Sequence, residues 1–278
     1  MPTDPSSAKQ ITRASKSNLA LAFVSLGAER RRDITTFYAF CRLIDDIADA
    51  TDVATGEKAH RLTVWRKALH GPAAGESPVA PAVRGLLGKY AITPAMLEEI
   101  IDGVEMDLAI SHYETFAALR EYCYRVASAV GLVSIEIFGY RNPACRDYAI
   151  ELGLALQVTN ILRDVQKDLI NGRVYLPRED MARFGYSPED LAARIHDERF
   201  VRLMQFEADR AHGYFQKAAA LLSREDRRSM VSAQIMASIY HALLRRMEED
   251  RFRVFERDYG LSKFAKFLHV TRQLLKFP

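Results

Sequence analysis

Residues 38–49 read Tyr38-Ala-Phe-Cys-Arg-Leu-Ile-Asp-Asp-Ile-Ala-Asp49. Bulky apolar side chains recur here at helical spacing, and Asp45 and Asp49 stand four residues apart. Residues at i and i+4 of a helix share one face and lie roughly 6 Å apart along the axis. A second pair with the same spacing, Asp164 and Asp168, follows much later in the chain. Each pair therefore points two carboxylates in one direction.

The second pair belongs to a longer polar stripe, Gln157-Val-Thr-Asn-Ile-Leu-Arg-Asp-Val-Gln-Lys-Asp168. Spacings of three, four and four residues put Gln157, Asn160 and both aspartates on one side of an otherwise apolar helix. Such a stripe needs internal partners. Basic and phenolic side chains suited to phosphate oxygens lie near the two stretches: Arg42, Arg163, Arg173 and Tyr175.

Carboxylates are hard oxygen ligands, and Mg²⁺ is typically held by a few of them together with substrate phosphates and water. Both pairs interrupt apolar sequence, where unpaired negative charge is costly to bury. A solvated acidic helix face is the alternative interpretation of either pair taken alone. Two such pairs together favour a metal–diphosphate site inside a helical bundle.

The rest of the chain has the periodicity of helices rather than strands. Glycine and proline, 14 and 10 of 278 residues, cluster at breaks between amphipathic segments. Apolar residues at i, i+3, i+4 and i+7 predict helices over residues 30–50, 55–70, 94–110, 115–138, 144–170, 198–222 and 225–256. Only residues 173–177 look extended. The predicted fold is all-α, a single domain over residues 1–278 with a loosely ordered segment at 1–13.

Composition excludes several classes of protein. A net charge of +3 with both signs interspersed, and no basic tract, gives no sign of nucleic-acid binding. Cys41, Cys123 and Cys145 are far apart, which argues against a disulfide framework or zinc site and fits a reducing cytosol. The polar start predicts no signal peptide, and no apolar run is long enough to predict a membrane span. We expect a cytoplasmic protein.

The terminal segment, residues 261–277, mixes aromatic and aliphatic side chains with lysine and arginine. Such a helix can lie on an anionic membrane surface, which would make the protein peripheral at the inner face of the membrane. The simpler interpretation is a helix docked on the core with a solvated basic face, and we favour it because amphipathic helices are common in soluble domains.

With Gly172-Arg-Val-Tyr-Leu-Pro177 after the second aspartate pair, the chain resembles the squalene/phytoene synthase family of head-to-head prenyl transferases. The resemblance extends over roughly residues 14–257. The stretches at 100–108, 122–127 and 136–139 are most similar to the bacterial presqualene diphosphate synthases of hopanoid pathways. It implies a prenyl synthase bundle with a central cavity, walled by the helices predicted at 30–50, 115–138, 144–170 and 225–256.

The resemblance also implies roles for individual residues. Those matching Mg²⁺ (or Mn²⁺) ligands are Asp45, Asp49, Asn160, Asp164 and Asp168. Those matching positions that hold diphosphate or frame the reacting carbons are Ser15, Lys16, Ser17, Tyr38, Arg42, Gln157, Asn160, Arg163 and Tyr240. Those matching the prenyl-tail tunnel are Tyr122, Val126, Ala127, Val130 and Gly131.

Two departures from the family pattern stand out, Ser128 for glycine and Lys167 for an acidic residue. Ser128 is expected to narrow or polarise the tunnel. Lys167 is expected to point about 100° away from Asp168 and to leave the metal site intact. Three acidic residues that match the family are explained equally well by surface salt bridges: Asp102, Glu105 and Asp107.

The implied activity is Mg²⁺-dependent condensation of two farnesyl diphosphates to presqualene diphosphate, in squalene and hopanoid biosynthesis, beside downstream isoprenoid enzymes. Membrane contact would serve product release. One alternative is a complete squalene synthase, which would also use NADPH, and another is a phytoene or dehydrosqualene synthase. A non-catalytic assembly factor with the same fold is a further alternative, but the presence of all four aspartates argues against it.

Overall fold

The computed structural model describes residues 22–276. The N-terminal segment 1–13 and the candidate diphosphate ligands Ser15, Lys16 and Ser17 lie outside the described residues. A 3₁₀ turn at Phe23–Ser25 comes first. The α-helices that follow are α1 Ala28–Asp49, α2 Thr55–His70, α3 Ala80–Lys89, α4 Pro94–Ala109, α5 Phe116–Cys123, α6 Ala129–Phe138, α7 Cys145–Ile170, α8 Arg178–Arg183, α9 Pro188–Ala192, α10 Glu198–Leu221, α11 Val231–Glu249 and α12 Lys263–Leu274.

The all-α prediction is confirmed, since residues 22–276 form helices and no strand. Every predicted helix is present, while α3, α8 and α9 were not predicted. The helix predicted at 225–256 runs only from Val231 to Glu249, and it begins later than predicted because buried Asp226 holds the preceding loop. Its carboxylate accepts hydrogen bonds of 2.7 and 3.0 Å from the backbone N–H groups of Arg141 and Asn142.

The central element is α7, whose 26 residues pack against α10, α6 and α11. Its apolar residues include fully buried Leu154, Ala155 and Leu162, so the helix is surrounded by protein along most of its length. Because α7 is central, a single helix can line two separate cavities of the bundle.

One turn of π-helix, Tyr124–Ser128, joins α5 to α6 within the helix predicted at 115–138. Two glycines, one on each of two neighbouring helices, lie in close contact with this turn. A Cβ added at Gly103 of α4 would lie 2.7 Å from Arg125 Cβ, and one at Gly153 of α7 would lie 2.6 Å from Ser128 Cα. Real Cβ atoms do not approach other atoms this closely, so only glycine permits the packing. Single π turns inside α-helices are frequent at functional sites.

Candidate active site

A polar cavity of about 300 Å³ opens between α1 and α7. Both aspartate pairs border it, so the structure brings together two elements separated by more than a hundred residues. Its lining residues are Arg42, Asp45, Ala48, Asp49, Val104, Asp107, Tyr122, Gln157, Asn160, Ile161, Arg163, Asp164, Lys167, Asp168, Asn171, Arg173 and Tyr175.

One carboxyl group of each aspartate pair has a raised pKa. Asp45 is accessible from the cavity but otherwise surrounded by protein, and this loss of solvation, with the neighbouring charge of Asp49, raises its pKa to about 7. Desolvation and the charge of Asp164 likewise raise the pKa of Asp168 to about 7. A carboxyl group whose ionised form is disfavoured by burial and like charge is stabilised by a cation. The cavity therefore favours positive charge between the pairs.

Arginines supply part of that charge. Arg163 donates two hydrogen bonds to the carboxylate of Asp164, its neighbour in sequence. Arg173 donates to Asp49 at 3.2 Å and thereby reaches from the loop after α7 to α1. Arg42 borders the cavity but pairs with Asp46, at 2.6 Å, on the same helix. A diphosphate bound in this cavity could replace the carboxylates as the hydrogen-bond partner of these guanidinium groups.

The donor set fits Mg²⁺. Oδ1 of Asn160 is buried without a hydrogen-bond partner among the described residues, although its Nδ2 donates to Gln157 at 3.4 Å. Within residues 22–276 no three acidic, histidine or cysteine side chains converge closely enough to hold one ion by themselves. Mg²⁺ is ordinarily bound through one or two carboxylates together with substrate phosphates and water. Each aspartate pair is suited to that mode, with Asn160 as a neutral oxygen ligand.

Asp107 is a cavity residue that the sequence left open between a family role and a surface salt bridge. Its neighbours behave as expected, since Asp102 and Glu105 form ion pairs of 2.6 and 2.7 Å with Arg66. Asp107 instead turns to the cavity, where burial raises its pKa. The i+5 spacing from Asp102 places it on a different helix face, and that was the available signal.

Two tyrosines hold Asp107 in place. Tyr122 donates to Oδ2 at 3.0 Å and Tyr175 donates to Oδ1 at 2.7 Å. The two rings stack with their centroids 5.1 Å apart. Tyr122, predicted to line the prenyl tunnel, therefore lies in the wall of the polar cavity. Tyr175, predicted to contact phosphate, borders the same cavity with its hydroxyl directed to a carboxylate.

A smaller apolar cavity, of about 100 Å³, lies further along α7. Of the predicted tunnel residues, Ala127, Val130 and Gly131 border it. Val126 is not among its lining residues, and its side chain instead faces Gly103 of α4. The lining residues that were not predicted are Phe23, Ser134, Ile135, Phe138, Tyr148, Ala149, Leu152, Gly153, Leu156, Ser232, Ala233 and Met236. Several continue the stripe of Gln157 and Asn160 toward the start of α7, so helical spacing could have identified them.

The two departures from the family pattern have clear positions. Ser128 is fully buried and donates its hydroxyl to the carbonyl of Ile150 at 2.8 Å, away from either cavity's lining. The expectation that it modifies the tunnel directly is therefore wrong. Lys167 was expected to point away, yet it borders the polar cavity, and its charge partly offsets the rise in the pKa of Asp168.

The helices that line the cavities differ in two respects from those predicted. Helix α4 supplies Val104 and Asp107 to the polar cavity, although it was not among the predicted walls. Helix α11 borders the apolar cavity, and its Tyr240 lies close enough to Arg163, which borders the polar one, to help raise the pKa of that guanidinium group. Tyr38 is half-buried on α1 against the core. The catalytic roles of Tyr38, Arg42 and Tyr240 remain predictions.

An all-helical bundle with two aspartate pairs across one cavity defines the class of isoprenoid synthases, and known structures agree. A dehydrosqualene synthase solved in complex with a ligand superposes with a TM-score of 0.83 at 25% identity, over 98% of this chain and 96% of the other. The squalene/phytoene synthase family model matches residues 12–265. The chain therefore belongs to the squalene/phytoene synthase family.

Curated relatives carry two different names. A phytoene synthase of Mycobacterium tuberculosis is 34% identical over 93% of this chain and 86% of its own length. A presqualene diphosphate synthase of Zymomonas mobilis is 32% identical over 85% of this chain and 82% of its own length. Identity at this level does not distinguish the two activities.

No helix within residues 22–276 is both long enough and apolar enough to cross a membrane.

Proposed function

We propose that the protein condenses two molecules of farnesyl diphosphate head to head into presqualene diphosphate, in a reaction that depends on Mg²⁺. The observation that carries this proposal is the pairing of Asp45 and Asp49 with Asp164 and Asp168 across one cavity. An acidic cavity of this kind cannot bind a diphosphate unaided, because both are anionic, whereas divalent cations between them remove the conflict.

In the polar cavity, the aspartates and Asn160 would bind the metal, and the arginines would bind the phosphate oxygens. Mg²⁺, when bound by the aspartates and Asn160, would neutralise the diphosphate and favour its departure. Arg163 and Arg173 would donate to phosphate oxygens, since guanidinium groups match phosphate geometry. Asp164 and Asp49, their present partners, would then be freed to act as metal ligands.

The reaction requires that water be excluded from the part of the site that holds the allylic cation and the prenyl chains. Loss of diphosphate from one substrate leaves an allylic cation, the 2,3 double bond of the second attacks it, and loss of a proton closes a cyclopropane. Water would quench the cation to an alcohol. The apolar cavity beside Ala127, Val130 and Gly153 offers such surroundings. The stacked rings of Tyr122 and Tyr175 offer aromatic faces that attract a cation by about 2 kcal/mol or more when desolvated.

Phytoene synthesis is the second candidate, and the relative from M. tuberculosis favours it. The two candidates share the metal-binding aspartates and differ in the length of the prenyl chain and in the fate of the cyclopropane. The stretches at 100–108, 122–127 and 136–139, together with the relative from Z. mobilis, support the shorter substrate and a reaction that ends at presqualene diphosphate.

Product analysis tests the proposal. Purified protein is incubated with Mg²⁺ and either farnesyl or geranylgeranyl diphosphate, with and without NADPH, and the products are identified by mass spectrometry. We expect presqualene diphosphate from farnesyl diphosphate, unchanged by NADPH and absent when EDTA is added. Phytoene from the longer substrate would establish the second candidate. Squalene on addition of NADPH would show a complete squalene synthase, and no turnover of either substrate would favour a non-catalytic role.

A further inference from the structure

The C-terminal helix exposes an unusual amount of apolar surface. Eight large apolar side chains are exposed within residues 22–276, and five of them lie in the last thirteen residues of that range. These five are Phe264, Phe267, Leu268, Leu274 and Leu275. Phe264 and Leu275 are 71% and 75% exposed. Contiguous exposed apolar surface of this kind marks an interaction site more often than chance.

The five side chains form a stripe on the solvent side of α12. Phe264, Phe267, Leu268 and Leu275 follow helical spacing, while Val270 and Gln273 on the opposite side are the buried residues of the helix. The helix packs on α11 through that buried side. The bundle thus holds α12 from one side and leaves the apolar stripe facing outward, so docking on the core does not account for it.

Positive charge flanks the stripe. Residues 259–276 contain no aspartate or glutamate, and their charged side chains are Lys263, Lys266, Arg272 and Lys276. None of the four forms an ion pair with any residue in 22–276. An apolar stripe between unpaired cations is complementary to a surface with anionic groups above an apolar layer.

A groove of about 530 Å³ opens beside the same helix, between α10, α11 and the end of α12. Gln273 and Lys276 form part of its wall, and it adjoins the apolar cavity through the shared residues Tyr148 and Leu152. The hydroxyl of Tyr148 and Oε1 of Gln273 are buried without hydrogen-bond partners among the described residues. The groove beside α12 therefore adjoins the apolar interior of the bundle.

We propose that residues 263–276 are a docking surface for an anionic lipid bilayer. The stripe of Phe264, Phe267 and Leu275 inserts at the boundary between headgroups and acyl chains, and the flanking lysines and arginine contact the headgroups. A second copy of this chain is a poorer occupant, because a two-fold interface would set the four cations of one copy against those of the other. The docking surface is independent of which prenyl diphosphate the enzyme uses.

Vesicle sedimentation tests the proposal with the full chain. We expect the protein to pellet with vesicles of phosphatidylcholine mixed with phosphatidylglycerol, and to stay in the supernatant with phosphatidylcholine alone. Added salt should weaken the binding, since screening reduces attraction between exposed charges. Binding that is equal for both vesicle types, or absent from both, would overturn the proposal.

Matched variants distinguish membrane binding through this surface from nonspecific binding by other exposed apolar side chains. The triple variant Phe264→Ser, Phe267→Ser, Leu275→Ser should lose sedimentation while keeping its thermal midpoint, because all three side chains are exposed. Lys263→Gln with Arg272→Gln should weaken binding by roughly fivefold for each cation removed. The control Ile170→Ser with Ile195→Ser removes exposed apolar side chains elsewhere and should bind like wild type. Loss of a dimer in the triple variant, with unchanged sedimentation, would assign the surface to a second copy instead.

Discussion

The hydroxyl of Tyr175 donates a 2.7 Å hydrogen bond to Oδ1 of Asp107, although 68 residues separate the two in sequence. Both residues border the polar cavity, and Tyr122 completes the arrangement by donating to Oδ2. Burial disfavours the ionised form of Asp107, and the two hydroxyl groups oppose that effect. The loop after α7 and helix α4 are thereby joined at the base of the site.

Tyr175→Phe should destabilise the protein by roughly 1–3 kcal/mol, because it leaves a buried carboxylate oxygen without its donor. Urea unfolding followed by circular dichroism measures the difference. Tyr113→Phe is the matched control, since Tyr113 lies in the same aromatic cluster but its buried hydroxyl has no partner among the described residues. Loss of the Tyr113 hydroxyl should change the free energy of unfolding little or not at all. Equal destabilisation by both substitutions would contradict the role given to the hydrogen bond.

Gly153→Ala should disturb both packing and activity. The added Cβ would lie 2.6 Å from Cα and 2.7 Å from the backbone nitrogen of Ser128, so the π turn must move. Overpacking of this kind costs roughly 1–3 kcal/mol. Because Ala127 and Gly153 both border the apolar cavity, turnover should fall as well. Thermal unfolding and a product assay on the same preparation measure the two effects.

Gly213→Ala provides the control for that substitution. Gly213 lies within α10, and a Cβ there would meet no atom within 4 Å. Alanine is favoured over glycine inside a helix by roughly 0.5–1 kcal/mol, so this variant should unfold at a slightly higher temperature. If both substitutions raised the midpoint, the close approach of α7 to the π turn would be less tight than described.

The sequence predicted the elements that carry the aspartates well, because periodicity within a single helix is a local signal. Helices α1 and α7 were predicted at 30–50 and 144–170 and are observed at Ala28–Asp49 and Cys145–Ile170. The π turn was not predicted, because no glycine or proline marks residues 124–128 and a single wide turn appears only as a shift in the phase of the helical repeat. The role of Asp107 depends on Tyr175, and only the folded chain brings these two residues together.

Asp45→Asn and Asp164→Asn should each abolish turnover without unfolding the protein. Each substitution removes one charged ligand from a site proposed to bind Mg²⁺ while preserving shape. Asp45→Asn should also leave the thermal midpoint unchanged or raise it, because the ionised carboxylate is opposed by burial and by Asp49. Titration calorimetry with Mg²⁺ and a diphosphate analogue measures the loss of metal binding apart from activity.

Asp209→Asn is the control for the aspartate variants, since Asp209 is an exposed residue of α10 that borders neither cavity. It should keep full activity and metal binding. Near-normal turnover of Asp45→Asn at saturating Mg²⁺ would refute the proposed metal site. A large fall in its midpoint would instead mean that the aspartate is structural.

The last prediction concerns a buried charge cluster away from the site. Glu207 and Asp180 are 2% and 5% exposed and share one cation, Arg210, at 2.6 and 3.1 Å. Burial, together with the charge of Asp180, raises the pKa of Glu207 to about 8 against an ordinary value of 4.5. The folded protein therefore keeps a proton that the unfolded chain releases, and stability should decline as pH rises from about 4.5 to about 8, by at most about 1.4 kcal/mol per pH unit.

Glu207→Gln removes that titration while preserving shape and a hydrogen-bond donor for Asp180. Urea unfolding at a series of pH values should give a flatter profile for the variant than for wild type, with the variant the more stable of the two at pH 8. The difference should shrink toward pH 5, where Glu207 is protonated in the folded protein. Parallel profiles would show that Glu207 is ionised in the fold and that Arg210 compensates both carboxylates.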